Sequence, residues 1–271
     1  MNSDLLDRAT ADLARQLDGV RRLGVAFSGG VDSSVLLALA ARALGPSHVL
    51  ALLGVSPSLA ADERAGAHEV ARHIGVRLAE VETREGERPG YRANGPDRCF
   101  HCKDELFTRI EAAAYGLDAV AYGENADDVR RTDRPGSRAA AAHHVLTPLA
   151  AAGLTKADVR GIARALGLPS ADKPAAPCLA SRIPHFIPVD AVKLSQVERA
   201  EAALRRLGFA DFRVRHHGDI ARLELPPADL ARAATTVREA VLDAVTAAGF
   251  RYVTLDLAGI QSGAFTRAAT R

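Results

Sequence analysis

The run Ser28-Gly29-Gly30-Val31-Asp32-Ser33-Ser34 decides the reading of this 271-residue chain. It follows a short apolar stretch, Leu23–Phe27, that reads as a buried strand, and it opens a helix expected from about Asp32 to Leu44. Two adjacent glycines let the backbone turn tightly and aim successive N–H groups into one concavity. The helix start adds its positive dipole end, so the loop suits a phosphate. Ser28, Ser33 and Ser34 can donate hydroxyl hydrogens to phosphate oxygens, and Asp32 can serve a magnesium ion or cap the helix. The loop has no terminal lysine and no G-x-G-x-x-G spacing, so neither the ATPase P-loop nor the dinucleotide fingerprint fits. An ordinary strand–helix turn would need only one glycine and one capping serine.

Working outward, strands and helices alternate. Strands are expected at His48–Val55, Val76–Val81, Asp118–Tyr122 and His144–Leu146, and helices at Ala60–Ile74, Cys99–Ala114 and Thr155–Leu166, after an amphipathic first helix. Strands separated by helices of this length predict right-handed crossovers and a doubly wound parallel α/β sheet. From Leu168 to Pro188 the chain carries five prolines and little periodicity, the mark of a long functional loop or linker. Beyond it, a helix (Ala191–Leu207), two strands (Phe212–His216, Ala221–Leu225), a helix (Ala228–Ala248) and a strand (Tyr252–Leu257) make a smaller α+β unit. The expected domains are 1–184 and 185–271.

Composition excludes several classes. Hydrophobic residues make up 48% and charged residues 25%, the balance of a core-forming chain rather than a disordered one. A formal charge of +2, 4% aromatics and no Trp argue against a nucleic-acid surface. The N-terminal stretch is broken by Asp4, Asp7 and Asp12, and the uncharged run Ala43–Ala61 by glycines and prolines. Neither an export leader nor a membrane span is expected, and the expected compartment is the cytoplasm. Basic charge is almost all arginine, with lysine only at 103, 156, 173 and 193.

Three cysteines do not make a secreted disulfide framework. Arg98-Cys99-Phe100-His101-Cys102-Lys103 is a CxxC with flanking cations at an expected helix start, where thiolates are favoured. Cys178 lies in the proline-rich loop. Three thiolates can hold a [4Fe-4S] cluster and leave one iron open. A zinc site with His101 as fourth ligand, a redox pair and three unrelated buried thiols are the other readings. Asp127 and Asp128, just past a strand end, sit where ligands collect in open α/β sheets, so Asp127 is a magnesium candidate beside a helix-capping role.

The Ser28–Ser34 stretch resembles the signature of the ATP-pyrophosphatase (PP-loop) superfamily, which implies ATP cleavage between the α- and β-phosphates and adenylation of a carboxyl or carbonyl oxygen. A narrower resemblance covers most of the chain. Asn94–Lys103, Asn125–Asp128, Arg134–Arg138, Asp172–Pro174, Cys178–Pro184, Arg213–Asp219 and Tyr252–Leu257 are similar to segments of the LarE family. That resemblance implies an ATP-dependent sulfur transferase that adenylates a pyridinium dicarboxylate mononucleotide and makes thiocarboxylates for the nickel-pincer cofactor of lactate racemase. It gives Cys178 the sulfur-donating position. In one branch that side chain is sacrificed to dehydroalanine; in the other a [4Fe-4S] cluster delivers sulfide, and Cys99 and Cys102 lean the expectation to the cluster. Arg98, Arg182, Arg213 and Arg215 fall in matched segments and are expected to bind the anionic substrate, Arg182 and Arg215 foremost. The chain departs from the family at His185-Phe186, usually Tyr-Gly, and at Gln261, usually arginine. Expected partners are the small nucleotide substrate and further copies of the chain. The rival readings are a PP-loop tRNA thiolase and a nucleotide-binding module without turnover.

Overall fold

The computed structural model describes residues 2–130 and 135–260, so Arg134 and Gln261 lie outside the described residues. The chain forms two compact units. One comprises Met1–Glu85 with Cys99–Ala176, the other Gly86–Arg98 with Pro177–Arg271. The division between these units falls after Ala176. The second unit also claims Gly86–Arg98, because Asn94 and Arg92 hydrogen-bond the Ile183–Val189 backbone.

In the first unit, β1 (Leu23–Ala26), β2 (Val49–Val55), β3 (Arg77–Glu82) and β4 (Ala119–Tyr122) form a parallel sheet in the order β3-β2-β1-β4. The expected strand at His144–Leu146 shrinks to one bridge, Ala121 with Leu146. His144 is left-handed (φ 51°) just before it, and Pro148, which has no N–H to give a ladder, follows shortly after. Helices α1 (Asn2–Gln16), α2 (Val31–Leu44) and Lys156–Ala165 cover one face, where Leu13, Leu17, Leu36, Leu39 and Ile162 are buried together. On the other face Leu50, Leu52, Phe107, Ile110 and Ala139 make a second core. Burial on both faces explains why β1 and β2 read as unbroken apolar runs. Strand order reverses between β1 and β4, so their carboxyl ends open the crevice in which such sheets bind ligands.

The second unit packs helix Ala191–Arg206 on a three-stranded sheet of β5 (Arg213–His217), β6 (Ile220–Glu224) and β7 (Tyr252–Asp256). β5 and β6 are an antiparallel hairpin, and β7 adds parallel to β6. His216 serves the turn: with Nδ1 accepting from Gly218 N (3.3 Å), its Nε2 faces Gln196 Oε1 at 3.0 Å. Burial, then the nearby Lys193 charge, holds that imidazole below its ordinary pKa, in keeping with a neutral ring. The single helix expected over 228–248 is two, Pro227–Ala234 and Arg238–Ala247. Thr235 marks the break, its backbone (φ −127°, ψ −80°) lying outside the helical range.

Helix Arg98–Ala112 is tied to the segment after helix Pro135–Ala142 by His143, whose Nε2 lies 2.9 Å from Asp104 and Nδ1 2.8 Å from Glu111. Burial opposes the charged ring, but the two carboxylates outweigh it and hold its pKa above the ordinary value. A raised folded-state pKa contributes stability that is complete below pH 6.5 and lost as pH climbs through the folded value. Urea unfolding at pH 6 and pH 9 should therefore show wild type losing stability with rising pH, and His143→Gln losing less over the same interval. Equal losses would show that the tie carries no charge.

Candidate active site

The predicted phosphate loop stands at the carboxyl end of β1, beside the reversal in strand order. Gly30 caps α2 with no side-chain hydrogen bond, so the first-turn N–H groups are left for an anion. Gly29 is left-handed (φ 70°), and a Cβ there would stand 2.9 Å from the Ala67 backbone on helix α3 (Ala61–Ile74). Ser28 is exposed, with its Oγ 3.2 Å from Ser33 Oγ. Ser33 and Ser34, expected to face phosphate, are buried and donate to Gly30 O at 3.1 and 2.8 Å, so in this arrangement they shape the loop.

Asp32 projects from the first turn of α2. One carboxylate oxygen accepts from Asn125 Nδ2 (3.1 Å), and the other pairs with Lys156 Nζ. Asn125 also caps the short helix Ala126–Val129, accepting from Asp127 N and Asp128 N, and its amide reaches Asp128 Oδ2 at 3.0 Å. The magnesium candidate Asp127 accepts from Lys156 N (2.8 Å), at the start of helix Lys156–Ala165. Lys156 is the residue that motif reading missed. The Thr155–Asp158 capping box places it at the first helical position. The available signal was its rarity, one of four lysines in an arginine-rich chain. Lys103 likewise places its Nζ over the Tyr122 ring at the end of β4, 3.2 Å from the centroid. Magnesium on a nucleotide uses one or two carboxylates plus phosphate oxygens, and Asp32 fits that demand.

The cysteines are placed differently. Cys99 and Cys102 occupy the first turns of helix Arg98–Ala112, exposed and half-buried respectively, while Cys178 is an exposed residue leading into a 3₁₀ turn, Leu179–Arg182. Among the described residues no group of three or more His, Cys, Asp or Glu side chains is placed to hold a metal ion. The described residues therefore lend the expected [4Fe-4S] cluster no support.

Four arginines expected to bind substrate lie in the second unit and meet protein acceptors. Arg182 grips Glu201 bidentately (2.8 and 3.1 Å) and donates to Pro177 O at 2.7 Å. Arg215 pairs with Glu224 (2.7 Å) and donates to Ser181 O at 3.0 Å. Arg98 donates to Ala180 O (3.0 Å) and to Asn94 Oδ1. All three are buried, with their forks directed at the cysteine loop and at Asn94, Glu201 and Glu224. Arg213, half-buried, donates to Asp211 and to Phe212 O at 2.9 and 2.6 Å.

A doubly wound sheet with this glycine loop at its switch point defines the PP-loop class of ATP-using enzymes, and a family model described as asparagine synthase matches residues 3–115. The chain is 34% identical to the pyridinium-3,5-bisthiocarboxylic acid mononucleotide synthase of Lactiplantibacillus plantarum, over 96% of this chain and 95% of that one. An uncharacterized protein of Synechocystis sp. is 40% identical over 98% of this chain and its own full length. A Methanocaldococcus jannaschii protein, also uncharacterized, is 26% identical over 88% and 90%. The chain belongs to the LarE family and is an ATP-dependent sulfur transferase. No helix among the described residues is long and apolar enough to cross a membrane.

The loop's placement rests on a close approach at the end of β4. A Cβ on Gly123 would come within 2.8 Å of Ser33 N and 2.9 Å of Ser33 Cα, backbone that cannot step aside. Gly123→Ala should cost about 1–3 kcal/mol in denaturant unfolding and weaken ATP binding. Gly161→Ala, in open space inside a helix, should gain roughly 0.5–1 kcal/mol and leave ATP binding alone. A neutral Gly123→Ala would contradict the contact.

Proposed function

We propose that this chain adenylates a pyridinium dicarboxylate mononucleotide and converts its carboxylates to thiocarboxylates for a nickel-pincer cofactor, with Cys178 as the sulfur source. The observation that carries the reading is the end-to-end similarity to a synthase named for that bisthiocarboxylic mononucleotide, in a chain with an intact phosphate loop and an exposed Cys178. The setting is the cytoplasm, where thiols stay reduced, and the working form is a homo-oligomer. Neither a nucleic acid nor a membrane takes part.

In the first step the substrate carboxylate attacks the α-phosphorus and pyrophosphate leaves, giving an acyl adenylate. The N–H groups at the start of α2 hold phosphate oxygens. Asp32 would hold magnesium, which would neutralise charge on the phosphates. Lys156, paired with Asp32, adds positive charge for the departing pyrophosphate. In the second step the Cys178 thiolate attacks the activated carbonyl carbon and AMP leaves, forming a thioester. Removal of the Cys178 α-proton then breaks its Cβ–Sγ bond. The thiocarboxylate is released and dehydroalanine remains at 178. Each chain gives one sulfur, so two carboxylates draw on two chains. No step runs through a [4Fe-4S] cluster.

The two steps separate by mutation. Asp32→Ala should cut pyrophosphate release by about 100-fold or more, the scale of losing one electrostatic group at a charge-developing centre. Cys178→Ala should release pyrophosphate at the wild-type rate and yield no thiocarboxylate. Both assays use the mononucleotide, with tRNA as the comparison that should not stimulate release. Thiocarboxylate from Cys178→Ala, or stimulation by tRNA alone, would overturn the reading.

A further inference from the structure

The loop that carries Cys178 lies in a stretch with five prolines, and such a segment has no ladder of its own to fix it. Besides Arg182 and Arg215, a pair of buried side chains from a segment some ninety residues earlier holds it. Asn94 is fully buried and left-handed (φ 56°). Its Nδ2 lies 2.8 Å from Pro184 O, 2.9 Å from Ile187 O and 3.3 Å from Ile183 O. Its own carbonyl accepts from Phe186 N and faces His185 Nδ1, both at 3.1 Å. One residue therefore engages almost every backbone unit of the 183–187 turn. The hold is firm enough to keep Phe186, a bulky residue that is two-thirds exposed, at φ 66°. That backbone region is unfavourable for such a side chain and persists only where surroundings impose it.

Asn94 Oδ1 in turn accepts from Arg98, one helical turn on. The same guanidinium nitrogen donates to Ala180 O at 3.0 Å, two residues beyond Cys178. Ser181 N closes the local turn on Cys178 O (2.9 Å). A continuous chain of hydrogen bonds thus runs from the 183–187 turn through Asn94 and Arg98 to the residues that follow the thiol.

We propose that Asn94 and Arg98 are positioning residues for Cys178, setting where its sulfur stands for attack on the acyl adenylate; this rests on Cys178 being the sulfur source. A misplacement of about an ångström can cost a transfer step on the order of 100-fold while leaving binding alone. An adenylate that waits for a displaced thiol is lost to water. The diagnostic quantity is therefore coupling, the thiocarboxylate formed per pyrophosphate released.

Asn94→Gly tests this without straining the left-handed backbone, because glycine accepts that conformation. Its coupling ratio should fall about tenfold or more, with the pyrophosphate release rate and the KM for the mononucleotide near wild type. Arg98→Lys keeps the charge without the rigid fork and should show the same split at smaller size. Melting temperatures check that both variants fold, and the lysine variant serves if glycine at 94 does not. Cys178→Ala runs in parallel. If it makes no thiocarboxylate while both test variants couple like wild type, the positioning role is wrong and the sulfur source stands. If pyrophosphate release and transfer fall together in folded Asn94→Gly and Arg98→Lys, the pair is merely structural and the proposal fails. Thiocarboxylate from Cys178→Ala would remove the sulfur reading, and this inference with it.

Discussion

The contact of Gly123 with the backbone of Ser33 is the constraint on which the first unit depends. It lets the end of β4 meet the first turn of α2 at van der Waals distance, at the place where strand order reverses. Everything at the phosphate loop follows from that closeness. Asn125, two residues beyond Gly123, can reach Asp32 only because the strand end is that near. Asp127 then reaches the amide of Lys156, whose ammonium returns to Asp32. The loop, the short acidic helix and the helix at Lys156 are one hydrogen-bonded ring of groups. Its charges are partly exposed, so the ring is better suited to receiving a polyanion than to stabilising the fold.

The second unit solves a different problem with buried charge. Arg182–Glu201 and Arg215–Glu224 are ion pairs enclosed in a small domain, and such pairs contribute little net stability against an apolar alternative. Their forks nevertheless direct N–H groups at Pro177 O and Ser181 O. Glu201 also accepts from Val214 N at 3.1 Å, joining the helix, the β5 strand and the cysteine loop at one carboxylate. Geometry, more than stability, accounts for keeping charge there. A loop rich in proline is given a definite course by neighbours that are themselves held from several sides.

Much of this was legible in the sequence because it follows from local rules. The apolar runs at Leu23–Phe27 and His48–Val55, the two glycines before Val31, and the Thr155–Asp158 capping box each announce their structure within a few residues. What the sequence did not yield depends on residues far apart. No spacing rule shows that Asn94 meets Ile187, or that Lys156 meets Asp32, 124 positions earlier. The arginines are the clearest case. Their residue type suited a phosphorylated dicarboxylate, but only the fold reveals that Glu201, Glu224 and four loop acceptors already engage Arg98, Arg182 and Arg215. The CxxC was legible as a pair at one helix start; whether a third thiolate joins it is a tertiary matter that spacing cannot decide. The break at Thr235 escaped because helical periodicity continues across it on both sides.

The central claim is that the sulfur leaves from Cys178 of the protein itself. Intact-protein mass spectrometry before and after a single turnover with ATP, magnesium and the mononucleotide tests it most directly, followed by peptide mapping of the altered chain. Every chain that has transferred should be lighter by the elements of hydrogen sulfide, with the loss located at residue 178. Thiocarboxylate formed in full yield by protein of unchanged mass would contradict it.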